Sequence, residues 1–176
     1  MMNLKEYIRS IPDYPKKGIL FRDITTLIKN EKAFEETINQ IVEKSKNFSF
    51  NKIAAIESRG FVFASAVSYI LKKPFIMLRK KNKLPAEVHS VDFELEYGTA
   101  TIEVHKDSIE KNDNVLIIDD LIATGGTAEA AAKLIELSKG NVSAFVFVID
   151  LFDLGGCEIL KKKKYKVESL IKFPGH

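Results

Sequence analysis

Residues 115–127 read VLIIDDLIATGGT, and this stretch sets the expected fold. Val115, Leu116, Ile117 and Ile118 form a short apolar run of the kind buried in a parallel sheet. Asp119 and Asp120 follow at its carboxyl end. Ala123, Thr124, Gly125, Gly126 and Thr127 then turn the chain into an alanine-rich helix over 128–138. In open α/β sheets ligands bind beyond the carboxyl ends of the strands. Glycine admits positive φ and lets a ligand approach the backbone. Successive N–H groups in such a turn form a concave anion site. The helix that follows adds its free N-terminal donors and the positive end of its dipole. Thr124 and Thr127 contribute hydroxyls. The loop therefore suits a phosphate monoester, and the two acids stand where they can accept from sugar hydroxyls or lie near a metal ion. The same residues also read as a plain strand-to-helix turn, with Thr127 as N-cap and the acids solvated. A P-loop does not fit, because neither Lys-Ser nor Lys-Thr follows the glycines, and no G-x-G-x-x-G is present.

Length and composition narrow the class. A chain of 176 residues suits one domain, 1–176, with a proper core. Hydrophobic residues make up 45%, as in globular proteins. A net charge of +3 is too weak to imply nucleic acid as a partner. The single Cys157 excludes an internal disulfide framework and a cysteine zinc cluster. His89, His105 and His176 lack metal-ligand spacing. The opening residues, MMNLKEYIRSIPDY, lack the apolar core of a signal peptide. No apolar run approaches the ~20 residues of a membrane span. A cytoplasmic protein without membrane partners is the expectation.

Outward from the central stretch, periodicity predicts the other elements. A short amphipathic helix covers 3–10, with Asn3 as N-cap. Pro12, Pro15 and Gly18 hold an extended loop. Phe34, Ile38, Ile41 and Val42 mark a helix over 31–46, capped by Asn30. Strands are expected at 52–56, 74–78, 142–149 and 167–171, the last at an edge, and a helix at 61–71. Alternation over 91–97 and 99–105 predicts a strand pair folded out from the main sheet. Residues 153–164 read as helix or loop, with Lys161–Lys164 a solvated helix end. Residues 57–60, ESRG, make a second strand-to-helix turn, with Ser58 as its cap in the plainer reading.

Four separated motifs resemble the type I phosphoribosyltransferases, over about 15–150. VLIIDDLIATGGT looks like that family's phosphoribosyl-pyrophosphate motif. PKKGILFRDIT at 15–25, IAAIESRGFVF at 53–63 and LEYG at 95–98 resemble its adenine-specific members, and RKKNKLPAEV at 79–88 is similar to the segment that opens the family's flexible lid. The resemblance implies an α/β fold with a mainly parallel twisted sheet flanked by helices, an N-terminal hood over 1–28 and a flexible lid hairpin over 80–105. It implies purine salvage: adenine and phosphoribosyl pyrophosphate give AMP and pyrophosphate, with Mg²⁺ held through substrate oxygens and water rather than directly by the protein. By the same resemblance Asp119 and Asp120 hold the ribose hydroxyls and residues 123–127 hold the 5′-phosphate. Ser58, Arg59, Gly60, Arg79 and Lys80 meet pyrophosphate. Phe21 stacks on adenine while backbone at Leu20 and Arg22 reads its edge, and Glu96 moves the proton in catalysis. A homodimer is expected. Ala64, Asn82 and Ala86 stand where the family often has glycine; Asn tolerates a left-handed conformation, whereas Ala86 stiffens the hinge of the lid. Two other readings remain at this point: a non-catalytic regulator that senses phosphoribosyl pyrophosphate, and a sister transferase for another base. The chain has neither an added helix-turn-helix nor a strongly basic face to favour the first.

Overall fold

Strand-length apolar runs alternate with helix-length segments along most of the chain, and this order builds a sheet covered on both faces. The computed structural model describes residues 2–94 and 98–175. Glu96 therefore lies outside the described residues. A one-turn 3-10 helix, Leu4–Tyr7, precedes strand β1 (Arg9–Pro12) and strand β2 (Leu20–Asp23). Helices α1 (Thr25–Ile28) and α2 (Glu31–Ser45) follow. Then come β3 (Lys52–Ile56), α3 (Arg59–Leu71), β4 (Phe75–Lys80), β5 (Val88–Glu94) and β6 (Thr99–His105). The chain continues through β7 (Asn114–Ile122), α4 (Gly126–Leu137), β8 (Asn141–Leu151), a 3-10 turn (Phe152–Leu154), α5 (Gly156–Lys162) and β9 (Val167–Phe173).

The main sheet runs β5-β6-β4-β3-β7-β8-β9. Strands β4, β3, β7, β8 and β9 are parallel, and the β5–β6 hairpin joins antiparallel. Alternate residues of each strand face opposite layers. Ile53 and Ala55 of β3, with Leu116 and Ile118 of β7, pack on the side that holds α2 and α3. Ala54, Ile56, Val115 and Ile117 pack on the other side, with α4. The sheet order departs in both directions from β3 and β7, so a topological switch point lies between them.

Several expected elements take a different form, each for a local reason. The N-terminal helix is shorter than expected: Asn3 caps it by accepting from Lys5 N–H, but the chain turns extended at Ile8. Residues on either side of the expected Pro12–Gly18 loop pair as strands, Phe21 opposite Ile11 and Arg22 opposite Ser10. Helix α3 begins two residues early. The β5–β6 hairpin does not stand free of the sheet. Strand β4 runs on to Lys80, past the end of β3, and its outer edge is satisfied by β6 at Arg79–Glu103 and Lys80–Ile102. Asn82, just beyond, has φ 64° and donates its N–H to Glu103 Oε2 at 3.0 Å. Ala64 is fully buried in α3, where only a small side chain fits the packed face. Among the described residues no helix is long and apolar enough to cross a membrane.

Candidate active site

Strand β7 carries the largest correction. It extends to Ile122 because β8 keeps pairing with it through Asp150. Asp119 and Asp120 thus lie inside the strand and are buried, not solvated at its end. Its other neighbour, β3, pairs only as far as Ala55–Ile118. Beyond that point the start of α3 closes in. A Cβ at Gly60 would stand 2.6 Å from Asp119 Oδ1 and 3.1 Å from Ile118 O, so this helix can approach the acids only with glycine there.

The loop after β7 has the form of an anion site. Gly125 takes φ +92° and is the residue before α4, and no side chain caps that helix. The plainer reading, with Thr127 as cap, is therefore not observed; Thr127 lies in the first turn. The first helical bond runs from Glu129 N–H to Gly125 O at 2.9 Å. Donors nearer the helix start have no intrahelical partner and remain for a ligand. Ser58 likewise makes no side-chain cap for α3.

A cavity of about 250 Å³ opens at the switch point, between residues 56–59 and residues 119–128. A second cavity of about 270 Å³ lies beside β2, walled by Leu20, Phe21, Leu151 and Leu154. Arg59, Leu121, Ala123 and Thr124 line both. Arg59 Nε sits 2.9 Å from Asp120 Oδ2, while its guanidinium carbon is 5.5 Å from the centre of the Phe21 ring. Tyr14 meets that ring edge-on at 5.1 Å. The first cavity is polar and the second largely apolar, so together they fit a ligand with an anionic end and a flat, apolar-faced end.

Not every expected residue points its side chain into these cavities. Arg22 is buried and committed elsewhere: it donates to Pro174 O at 2.9 Å and stacks over Phe173 at 4.4 Å. Its Nε keeps no hydrogen-bond partner among the described residues, and Arg22 still forms part of the wall of the second cavity. Arg79 and Lys80 line neither cavity; Arg79 Nε reaches back to Glu57 Oε2 at 3.2 Å, and Lys80 N–H donates to the same oxygen at 2.9 Å. Glu57 ties the β3–α3 turn to β4, a role that its sequence neighbours gave no reason to expect. The hairpin reaches the loop from above, with Glu94, Thr99 and Gly126 lining one further cavity.

The acid pair carries an electrostatic cost. Burial, reinforced by the charge of Asp120, pushes the Asp119 carboxyl well above the usual carboxylate range. Burial also pushes Asp120 up, against the pull of Arg59. Asp120 Oδ2 has no hydrogen-bond donor, its Arg59 contact being an ion pair without hydrogen-bond alignment. A carboxyl raised in the folded state favours folding when protonated, and that stability is lost as pH climbs from the unfolded value, about 4, through the raised one. Asn at 119 stays neutral throughout. Asp119→Asn should therefore match the parent near pH 4 and show a higher urea midpoint at pH 7–8. A midpoint gap that does not widen with pH would contradict this account.

Three comparisons bear on the chain. The phosphoribosyl transferase domain family matches residues 23–174. An adenine phosphoribosyltransferase of Pelagibacter ubique is 81% identical, across 99% of this chain and 100% of that protein. A crystal structure of the adenine phosphoribosyltransferase of Thermoanaerobacter pseudethanolicus superposes with a TM-score of 0.92 at 46% identity, covering 97% of this chain and 98% of that one. The Saccharomyces cerevisiae enzyme, solved with an imino-altritol bisphosphate and adenine, gives 0.87 at 34% identity, with 96% of each chain covered.

Proposed function

The chain belongs to the phosphoribosyl transferase family, among its adenine phosphoribosyltransferases, and on that premise we propose how its residues divide the work. The reaction moves the 5-phosphoribosyl group from phosphoribosyl pyrophosphate to adenine, giving AMP and pyrophosphate. The observation that carries the assignment of roles is the pair of cavities sharing Arg59, one polar at the loop after β7 and one apolar beside β2.

Residues 123–127 grip the 5′-phosphate through backbone N–H groups at the uncapped start of α4. Asp119 and Asp120 accept from the ribose hydroxyls, which supply the donor that buried Asp120 Oδ2 lacks. Arg59 swings from Asp120 to the departing pyrophosphate, joined by Ser58, Gly60, Arg79 and Lys80. Phe21 stacks on adenine, with backbone at Leu20 and Arg22 reading its edge. Adenine N9 bonds to C1′ while the bond from C1′ to the pyrophosphate oxygen breaks, and Glu96 handles the proton that the purine gives up. The lid over 80–105, within the single domain 1–176, keeps water from the activated sugar, and the hood over 1–28 encloses the base.

We propose Mg²⁺ as cofactor, bound through substrate oxygens and water, and the donor set fits: the carboxyls of Asp119 and Asp120 line the polar cavity, where they would offer outer contacts to a hydrated ion. When bound, the ion takes up charge on the pyrophosphate. Chelation should abolish transfer, and Mg²⁺ alone among added salts should restore it. The dimer is proposed to form on α3, where Val62, Tyr69 and Ile70 are exposed beside Met77 of β4; a monomeric mass by light scattering would refute it. One cysteine, Cys157, supports a reducing, cytoplasmic setting.

Phe21→Ala tests the base site. Losing one stacked ring costs about 1–3 kcal/mol, so KM for adenine should rise roughly tenfold. KM for phosphoribosyl pyrophosphate should hold. Steady-state rates with each substrate varied in turn decide it, and an unchanged adenine KM would remove Phe21 from the base site.

A further inference from the structure

Gly155 and Gly156 lead into α5, in a segment that its sequence marks only as helix or loop. The fold sets them directly behind residues 123–127. Gly156 N–H donates to Ala123 O at 2.9 Å. A Cβ on Gly156 would stand 2.3 Å from that oxygen and 2.8 Å from Gly125 N. In return, a Cβ on Gly125 would stand 3.2 Å from Gly156 Cα. These are contacts of backbone with backbone, so no rotamer change can relieve them.

We infer that Gly156 is a positioning residue for the 5′-phosphate: it holds the Ala123 carbonyl against α5 and so fixes the donors of the loop. In a trans peptide the C=O and N–H point in opposite directions. With the Ala123 oxygen turned to Gly156, the Thr124 N–H of the same peptide points away from α5, on the side where the cavity opens. Were the peptide free to flip, a carbonyl lone pair would face the phosphate in place of a donor. The bond thus sets the sign of the field as well as the shape of the loop. Gly156 itself touches no substrate. This inference rests on reading residues 123–127 as the phosphate loop.

The test pairs Gly156→Ala with Gly155→Ala. Gly155 has φ +77° and open space where its Cβ would be, so alanine there strains α5 without touching the loop. Gly156→Ala should raise KM for phosphoribosyl pyrophosphate and Kd for AMP by about 10- to 100-fold, as expected for the loss of one charge-assisted hydrogen bond, with kcat changed far less. Gly155→Ala should lower the melting temperature and leave both constants alone. An unchanged KM in Gly156→Ala, or an equal rise in both variants, overturns the inference. Should Gly156→Ala fail to fold, amide exchange in the unaltered enzyme decides: AMP, but not adenine, should slow exchange at the Gly156 N–H, and no slowing overturns the proposal. Gly125→Val separates the two claims. If it abolishes AMP binding while Gly156→Ala does not weaken it, the phosphate loop stands and only the role of Gly156 falls.

Discussion

Gly125→Val should abolish measurable AMP binding and leave the fold intact. Gly125 sits at φ +92°, where a β-branched residue costs of order 1–3 kcal/mol, and its new Cβ would press on the Gly156 backbone at 3.2 and 3.3 Å. Since neither partner is a flexible side chain, the loop itself must move. Charge-assisted hydrogen bonds contribute about 1.5–3 kcal/mol each, so displacing two of them weakens phosphate binding about 10³-fold. The core does not depend on this position. Its two clusters are built from the strands and the apolar faces of the helices, and Gly125 belongs to neither. Calorimetric titration with AMP, beside circular dichroism and urea unfolding, separates the two effects. Intact AMP affinity would contradict the phosphate-loop assignment.

Glu96→Gln should lower turnover 10²- to 10⁴-fold while AMP still binds, because the variant keeps the shape of the side chain and loses its ability to exchange a proton. The expectation comes from the LEYG resemblance and from the residues that flank 95–97. Glu94 ends β5 with its carbonyl 3.4 Å from where a Gly126 Cβ would be, and Thr99 opens β6 beside the same cavity. The described ends of the hairpin thus reach the start of α4, next to residues 123–127. Single-turnover measurements report the chemical step without product release. An unchanged single-turnover rate would move proton transfer to another group.

Much of the fold was legible because it depends on local rules. Asn30 caps α2 through Ala33 N–H, as expected from an Asn before an amphipathic run. Strand β3 runs from Lys52 to Ile56 as expected, since a short apolar run between polar segments is too brief for a buried helix. Boundaries slipped where a neighbour strand lengthened an element, as β8 does for β7 and β6 for β4. Pairing of β1 with β2 was not legible, because a segment with Pro12 and Pro15 and no alternation gives no strand signal.

The sequence by itself determined the glycine turn before α4, the apolar strands, the family and hence the reaction, because each is written in residues close together along the chain. Tertiary structure alone decided that Asp119 and Asp120 are buried within a strand, that Arg59 lines both the polar cavity after β7 and the apolar cavity beside Phe21, and that Gly156 lies against Ala123. These facts depend on which backbones meet across the sheet. Periodicity records which face of an element is apolar, but not which distant backbone packs against it.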